Sequence, residues 1–201
     1  MARPKRIARA DVLRAALAIV DDEGLEGLTM RRLGRALGVE AMSLYRHVAN
    51  KEAVLDGVHE AVLADVRWPQ TTGVWQRDVV SGALALRDAL RRHPNVLPLF
   101  ATRPATTDAS LAHLERALAQ LEAPLPDLTT RVMAVQSVLA LVLGHALFHD
   151  TPAGLGPDYE RLDPETFPVL STVGQALEGY DPDAELAFAL ASLVRGFEGP
   201  R

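Results

Sequence analysis

Apolar residues recur along this chain at helical spacing almost from end to end. Between Ala10 and Glu23 the positions Val12, Leu13, Ala16, Leu17, Ile19 and Val20 fall on one stripe of a 3.6-residue repeat, and Gly24 follows as a stop signal. Thr29 is a good N-cap for a second helix running to Leu37, and Leu28 is placed to staple against Leu33. Gly38 ends that helix, a third covers about 41 to 48, and Asn50 caps a fourth from Lys51 to Val66. The polar stretch 67–73, with Pro69 and Gly73, reads as a connector.

Beyond the connector the pattern predicts helices over 74–92, 95–102, 107–122, 127–149, 165–178 and 182–197. The segment 150–164 lacks a pattern and is expected to be a loop. Strand-type alternation and internal repeats are absent from the sequence. The expectation is an all-α protein of about 9–10 helices: a three-helix N-terminal unit over 1–50, a connecting helix over 51–66, and a helical body over 67–201.

The spacing Leu33-x3-Leu37-Gly38-Val39-x4-Leu44 is what two short helices need to cross steeply around a small core, as in a helix-turn-helix. Gly38 supplies the tight turn and Gly34 the close approach. With Leu44 and Val48 turned inward, the second helix must present Met42, Ser43, Tyr45 and Arg46 outward, with His47 at its flank. Such a face suits the major groove of double-stranded DNA. Met42, Ser43 and Arg46 are the candidates for base edges; Tyr45, His47 and Lys51 carry donors suited to phosphate. Helix starts near Thr29 and Lys51 add backbone N–H groups for anions, and Arg3, Lys5, Arg6 and Arg9 could form an arm along the DNA backbone.

Charge sharpens this picture. The net charge of -5 hides ten Lys and Arg against six acids through Lys51, so that the first quarter carries +4 and the remainder -9. A basic module on an acidic body is the distribution expected of a polyanion reader. With no cysteine in 201 residues, disulfides and thiolate metal sites are excluded, which suits a cytoplasmic location. The N-terminal stretch lacks the apolar core of a secretory signal. The longest apolar run, 133–148, is interrupted by Gln136, Ser137 and His145 and falls short of the ~20 residues that span a bilayer, so no membrane segment is expected.

The run GLTMRRLGRALGVEAMSLYRHVANKEAVLDGV closely resembles the DNA-binding domain of TetR-type repressors, and LYRHVANKEAVLD is its most specific part. The resemblance covers about residues 12–66. It implies that Tyr45, His47 and Lys51 contact phosphates, that Arg31, Met42, Ser43 and Arg46 lie near bases, and that Met42 and Arg46 set the operator sequence. Weaker similarity to the tetracycline-repressor type of C-terminal domain continues through WQRD, RRHP, ATRP, LERAL and VLGHAL, in order, over about 75–150. It implies a homodimer with an effector cavity. The nearly all-apolar helix 129–148 and the Ala/Leu-rich last helix agree with a two-fold bundle.

Departures from that family are informative. The positions that hold drug and magnesium in tetracycline repressors align with Arg67, Gly82, Leu99 or Phe100, Ala117 and Phe148, none of which supplies the expected His, Asn, Gln or Glu. The expected effector is a small, largely apolar molecule other than a tetracycline–magnesium chelate. Phe100, His113, Met133, Gln136 and His145 are the candidates for its cavity, although His113 and Gln136 serve equally well as satisfied core polars. His145 and His149 have i, i+4 metal spacing, but the sequence shows no third ligand, so neither metal nor cofactor is expected, nor an enzyme. The functional expectation is a one-component repressor released from a palindromic operator by a small molecule. A ligand-insensitive or activating regulator of the same fold is the alternative.

Overall fold

The computed structural model describes residues 7–149 and 159–197, and every regular element among them is helical. The helices are α1 (Arg9–Gly27), α2 (Met30–Leu37), α3 (Ala41–Leu44), α4 (Lys51–Ala64) and α5 (Trp75–Arg92), then α6 (Leu97–Thr102), α7 (Asp108–Gln120), α8 (Leu128–His149), α9 (Val173–Ala176) and α10 (Pro182–Gly196).

Local chemistry sets the boundaries. Thr29 Oγ1 accepts the Arg32 amide at 3.1 Å and starts α2, and Asn50 Oδ1 accepts that of Ala53 at 2.8 Å and starts α4. Gly38 closes α2 in the left-handed region at φ 70°. A Cβ on Gly34 would come within 2.8 Å of the Val39 carbonyl, so only glycine lets the two helices cross this closely. The expected stop at Gly24 is a kink at φ 72°, after which one further turn carries α1 to Gly27.

Two expectations need correction. The third helix is regular only over 41–44; from Arg46 the amides of 46 and 47 reach back three residues, tightening the chain so that Val48 turns into the core before Asn50. The helix expected over 165–178 is a 3₁₀ turn at Leu170–Thr172 followed by the single turn of α9. Pro168 is the fourth residue of that window, and its missing N–H and its ring oppose a helix begun at 165. The arm residues Arg3, Lys5 and Arg6 and most of the expected loop lie outside the described residues.

The core runs unbroken from the N-terminal unit into the body. Val12, Ala16 and Val20 of α1 and Leu33 and Leu44 of the hairpin meet Val54, Val58 and Val62 on one face of α4. Each fully buried Val or Leu contributes roughly 1.5–3 kcal/mol. Further along, Leu90, Val96, Val142, Leu186 and Leu190 continue the same cluster, joining α5, α8 and α10. The junction is also pinned by polar contacts: His93 Nδ1 lies 2.9 Å from Asp21, and Asn95 donates to the Val20 and Asp21 carbonyls at 3.1 and 2.9 Å.

Length and apolarity alone would let α8 cross a membrane. Its partners here are α5, α6, α7 and α10. Away from them it exposes Leu128, Met133 and Phe148, and Phe188 of α10 is also exposed.

Candidate functional site

The hairpin presents a sorted face. Leu44 is fully buried and Val48 nearly so, which turns Met42 outward to 74% exposure and leaves Ser43, Tyr45 and Arg46 exposed, with His47 half-buried beside them. Arg31, Thr29 and Lys51 are also exposed. The cations separate into two groups. Arg9 grips Glu60 with two N–H donors at 2.8 and 2.9 Å, Arg14 pairs with Asp11, and Arg32 pairs with Glu23. Among the described residues Arg31, Arg35, Arg46 and Lys51 have no acidic partner. Arg9, expected in the arm, is therefore a tie between α1 and α4. That tie also holds the Glu60 carboxyl below its usual range, through the hydrogen bond from Arg9.

A cavity of about 700 Å³ lies in the body between α4, α5, α6, α7 and α8. On its α5 and α8 side it meets mostly carbon, from Val79, Ala83, Leu86, Val135, Val138 and Leu139, with Asp78, Ser81 and Gln136 as the polar members. Its α4–α7 edge is polar, with His59, Ser110, His113 and Arg116, and Arg103 joins from the segment after α6. His59 stacks on Phe100 with ring centroids 4.0 Å apart, and Trp68 stacks on His113 at 5.3 Å. Burial holds the His59 imidazole below its usual range; burial and then the charge of Arg116 do the same for His113. Of the residues proposed from sequence, Phe100, His113 and Gln136 line this cavity. Met133 and His145 do not: Met133 is 56% exposed on the outer face of α8, and His145 is packed against α5 and α10. Of the positions expected from the sequence alignment to correspond to those holding drug in tetracycline repressors, Gly82 and Ala117 are on the wall as bare backbone and methyl, whereas Phe148 is 62% exposed.

Sequence reasoning passed over Arg103 and His59. Glu52, Asp56, His59 and Leu63 fall at i, i+4, i+7 and i+11 of α4 and form one stripe toward α6 and α7. Arg103 donates to Asp56 Oδ1 from Nε at 3.2 Å and Nη2 at 2.8 Å, and Nη1 bonds Glu52. His59 Nδ1 is 3.4 Å from Ser110 Oγ. The cavity wall is thus tied to α4 over several turns, down to the residue next to Lys51.

The third partner that the sequence did not show for His145 and His149 is Glu185, whose Oε2 lies 3.5 and 3.0 Å from their Nε2 atoms. The polarity around His145 opposes a metal there. Arg87 Nε–H points at Nδ1 from 3.2 Å, so the ring proton resides on Nε2, which faces the Pro182 carbonyl at 2.9 Å. A metal on Nε2 needs an acceptor beside Nδ1, and Arg87 offers a donor. With Tyr180, whose hydroxyl bonds Glu185, the group ties the end of α8 to the start of α10.

A steep helical hairpin with an outward polar face, joined by one shared helix to a body holding a ligand-sized cavity, defines a helix-turn-helix protein with a ligand-binding domain. The chain belongs to the tetR family of bacterial regulatory proteins: that family's profile matches residues 12–58, and the tetracyclin repressor-like C-terminal domain matches 69–200. It is 32% identical over 200 residues to the class D tetracycline repressor protein of Escherichia coli, covering 96% of this chain and 90% of the relative. Among solved structures it is similar to the TetR family protein ActR of Streptomyces coelicolor in complex with actinorhodin (TM-score 0.83, 25% identity, 96% of each chain). It is also similar to a TetR variant of Acinetobacter baumannii in complex with minocycline (TM-score 0.71, 27% identity, 96% of this chain and 97% of the other). The family consists of DNA-binding transcriptional regulators, and the homodimer is typical of it.

Proposed function

We propose that this chain is a homodimeric one-component repressor that binds a palindromic double-stranded DNA operator and is released by a small molecule held in the body cavity. The sorting of its cations carries the DNA reading. Arginines that hold the fold are neutralised by Glu60, Asp11 and Glu23, whereas Arg31, Arg46 and Lys51 are left without acids on the hairpin side. Arg46 with Met42 and Ser43 reads base edges; Thr29, Tyr45, His47 and Lys51 fix the hairpin on phosphates.

Two protomers pair through the apolar faces of α8 and α10, where Phe148 and Phe188 are 62% and 71% exposed. The pairing sets the distance between two recognition helices, and α4 transmits the state of the cavity to that distance. The effector is not a tetracycline–magnesium chelate, because the aligned wall positions Gly82 and Ala117 offer no ligand to drug or metal. Selection of bound duplexes from a random-sequence library tests this reading. It should return two inverted half-sites spaced about one helical turn apart; recovery of sequences without a repeated half-site counts against it.

A further inference from the structure

The polar edge of the cavity carries a cation with no carboxylate set against it. Arg116 lines it and, among the described residues, has no acidic partner. Asp78 is the one carboxylate among the lining residues, and its oxygens already accept from the Thr72 amide and hydroxyl, both at 2.7 Å, and from the Gly73 amide at 3.3 Å. On α4, His59 has its Nδ1 against Ser110 Oγ, while no partner for its Nε2 is present among the described residues. Arg103, the second cation on the wall, is neutralised by Asp56 and Glu52 and adds nothing that an acid could take without breaking those pairs.

The opposite wall makes the complementary demand. Apart from Asp78, Ser81 and Gln136, its side chains offer no hydrogen bond, with Val79, Ala83, Leu86, Val135, Val138 and Leu139 making most of the wall, and the stacked pairs Phe100–His59 and Trp68–His113 add flat ring surface. We infer that the cavity takes an amphipathic organic acid: a ring-sized apolar body against α5 and α8, with its carboxylate, phenolate or sulfonate turned to the α4–α7 edge and paired with Arg116. This rests on the reading of the cavity as the effector site and adds the chemical class of the effector. Burial disfavours the charged form of both edge histidines, which leaves Arg116 as the cation placed to pair with an anion.

Two fluorescent probes that share their rings and differ in one charged group test this: 8-anilino-1-naphthalenesulfonate and neutral N-phenyl-1-naphthylamine. Both are titrated into the full-length protein without DNA. The sulfonate is expected to bind about tenfold tighter than the neutral probe, and Arg116→Gln should bring that ratio close to one. Gly82→Leu should abolish binding of both; its side chain enters the cavity from a site where an added Cβ meets nothing within 4 Å. Equal affinity for the two probes, or a ratio unchanged by Arg116→Gln, overturns the inference. The same probes added to an operator complex separate the two readings: tight sulfonate binding that leaves DNA bound supports the ligand class and refutes effector release.

Discussion

The guanidinium of Arg103 meets Asp56 with two donors, at 2.8 and 3.2 Å, across 47 residues of chain. Arg103 borders the cavity and Asp56 lies on α4, the helix that follows the hairpin, so this pair ties the cavity wall to that helix. Asp56→Asn removes the charge and keeps the shape. Partly exposed ion pairs contribute up to about 1 kcal/mol, so operator affinity should fall about fivefold while the circular dichroism spectrum stays the same. Unchanged affinity in a gel shift would show that the pair does not position α4.

Lys51 and Arg46 separate grip from reading. Lys51→Ala should weaken operator and random DNA equally and lower the magnitude of the salt slope by about one per subunit. Arg46→Ala should cost roughly 1–3 kcal/mol on the operator and relax preference at one position per half-site. Equal losses on both DNAs would remove Arg46 from the base-reading set.

Gly34 limits the hairpin. Its substitution by valine places carbon against the Val39 carbonyl, 2.8 Å from the new Cβ, and against the Ala41 amide at 3.1 Å. Overpacking of this kind costs about 1–3 kcal/mol, which should lower the melting temperature and abolish DNA binding. A Gly34→Val protein that binds the operator normally would contradict the crossing geometry.

Gly82 offers the reverse case. Leucine there gains helix propensity of roughly 0.5–1 kcal/mol and fills cavity space. Thermal stability should hold or rise, operator binding should persist, and release by ligand should disappear. Retained release would place the effector elsewhere.

Acid should destabilise the body before its carboxylates titrate. Burial depresses His59, and burial is likewise the first cause for His113 and His145. Free in the unfolded chain these rings titrate near ~6.5, so on acidification the unfolded state takes up protons first. Their contribution is complete above about pH 6.5 and is lost as pH falls from there toward the depressed folded values. The melting temperature should therefore drop between about pH 7 and 5.5, and His59→Phe should flatten that slope. A slope that His59→Phe leaves intact would assign the effect to other groups.

The hairpin was legible because its signals are local: Thr29, Gly34, Gly38, Leu44 and Asn50 each act within a few residues. The core stripe of α1 could be read the same way. The inner face of α8 could not, because that helix is apolar nearly all round and its periodicity does not say which side faces in. Periodicity therefore does not separate Met133, which faces outward, from Gln136, which faces the cavity. Arg103 and His145 take their roles from partners 37 to 58 residues distant, Asp56, Arg87 and Pro182, and no spacing along the chain announces those contacts. The stripe Glu52, Asp56, His59, Leu63 on α4 was the one available hint that this helix has a second working face.

In the proposed function the unpaired hairpin cations hold DNA. Operator affinity measured against salt concentration tests it most directly. If each subunit neutralises about four phosphates, log affinity should fall against log salt with a slope near about -7 for the dimer. A slope near zero, or affinity that Lys51→Ala and Arg46→Ala leave unchanged at every salt concentration, would contradict it.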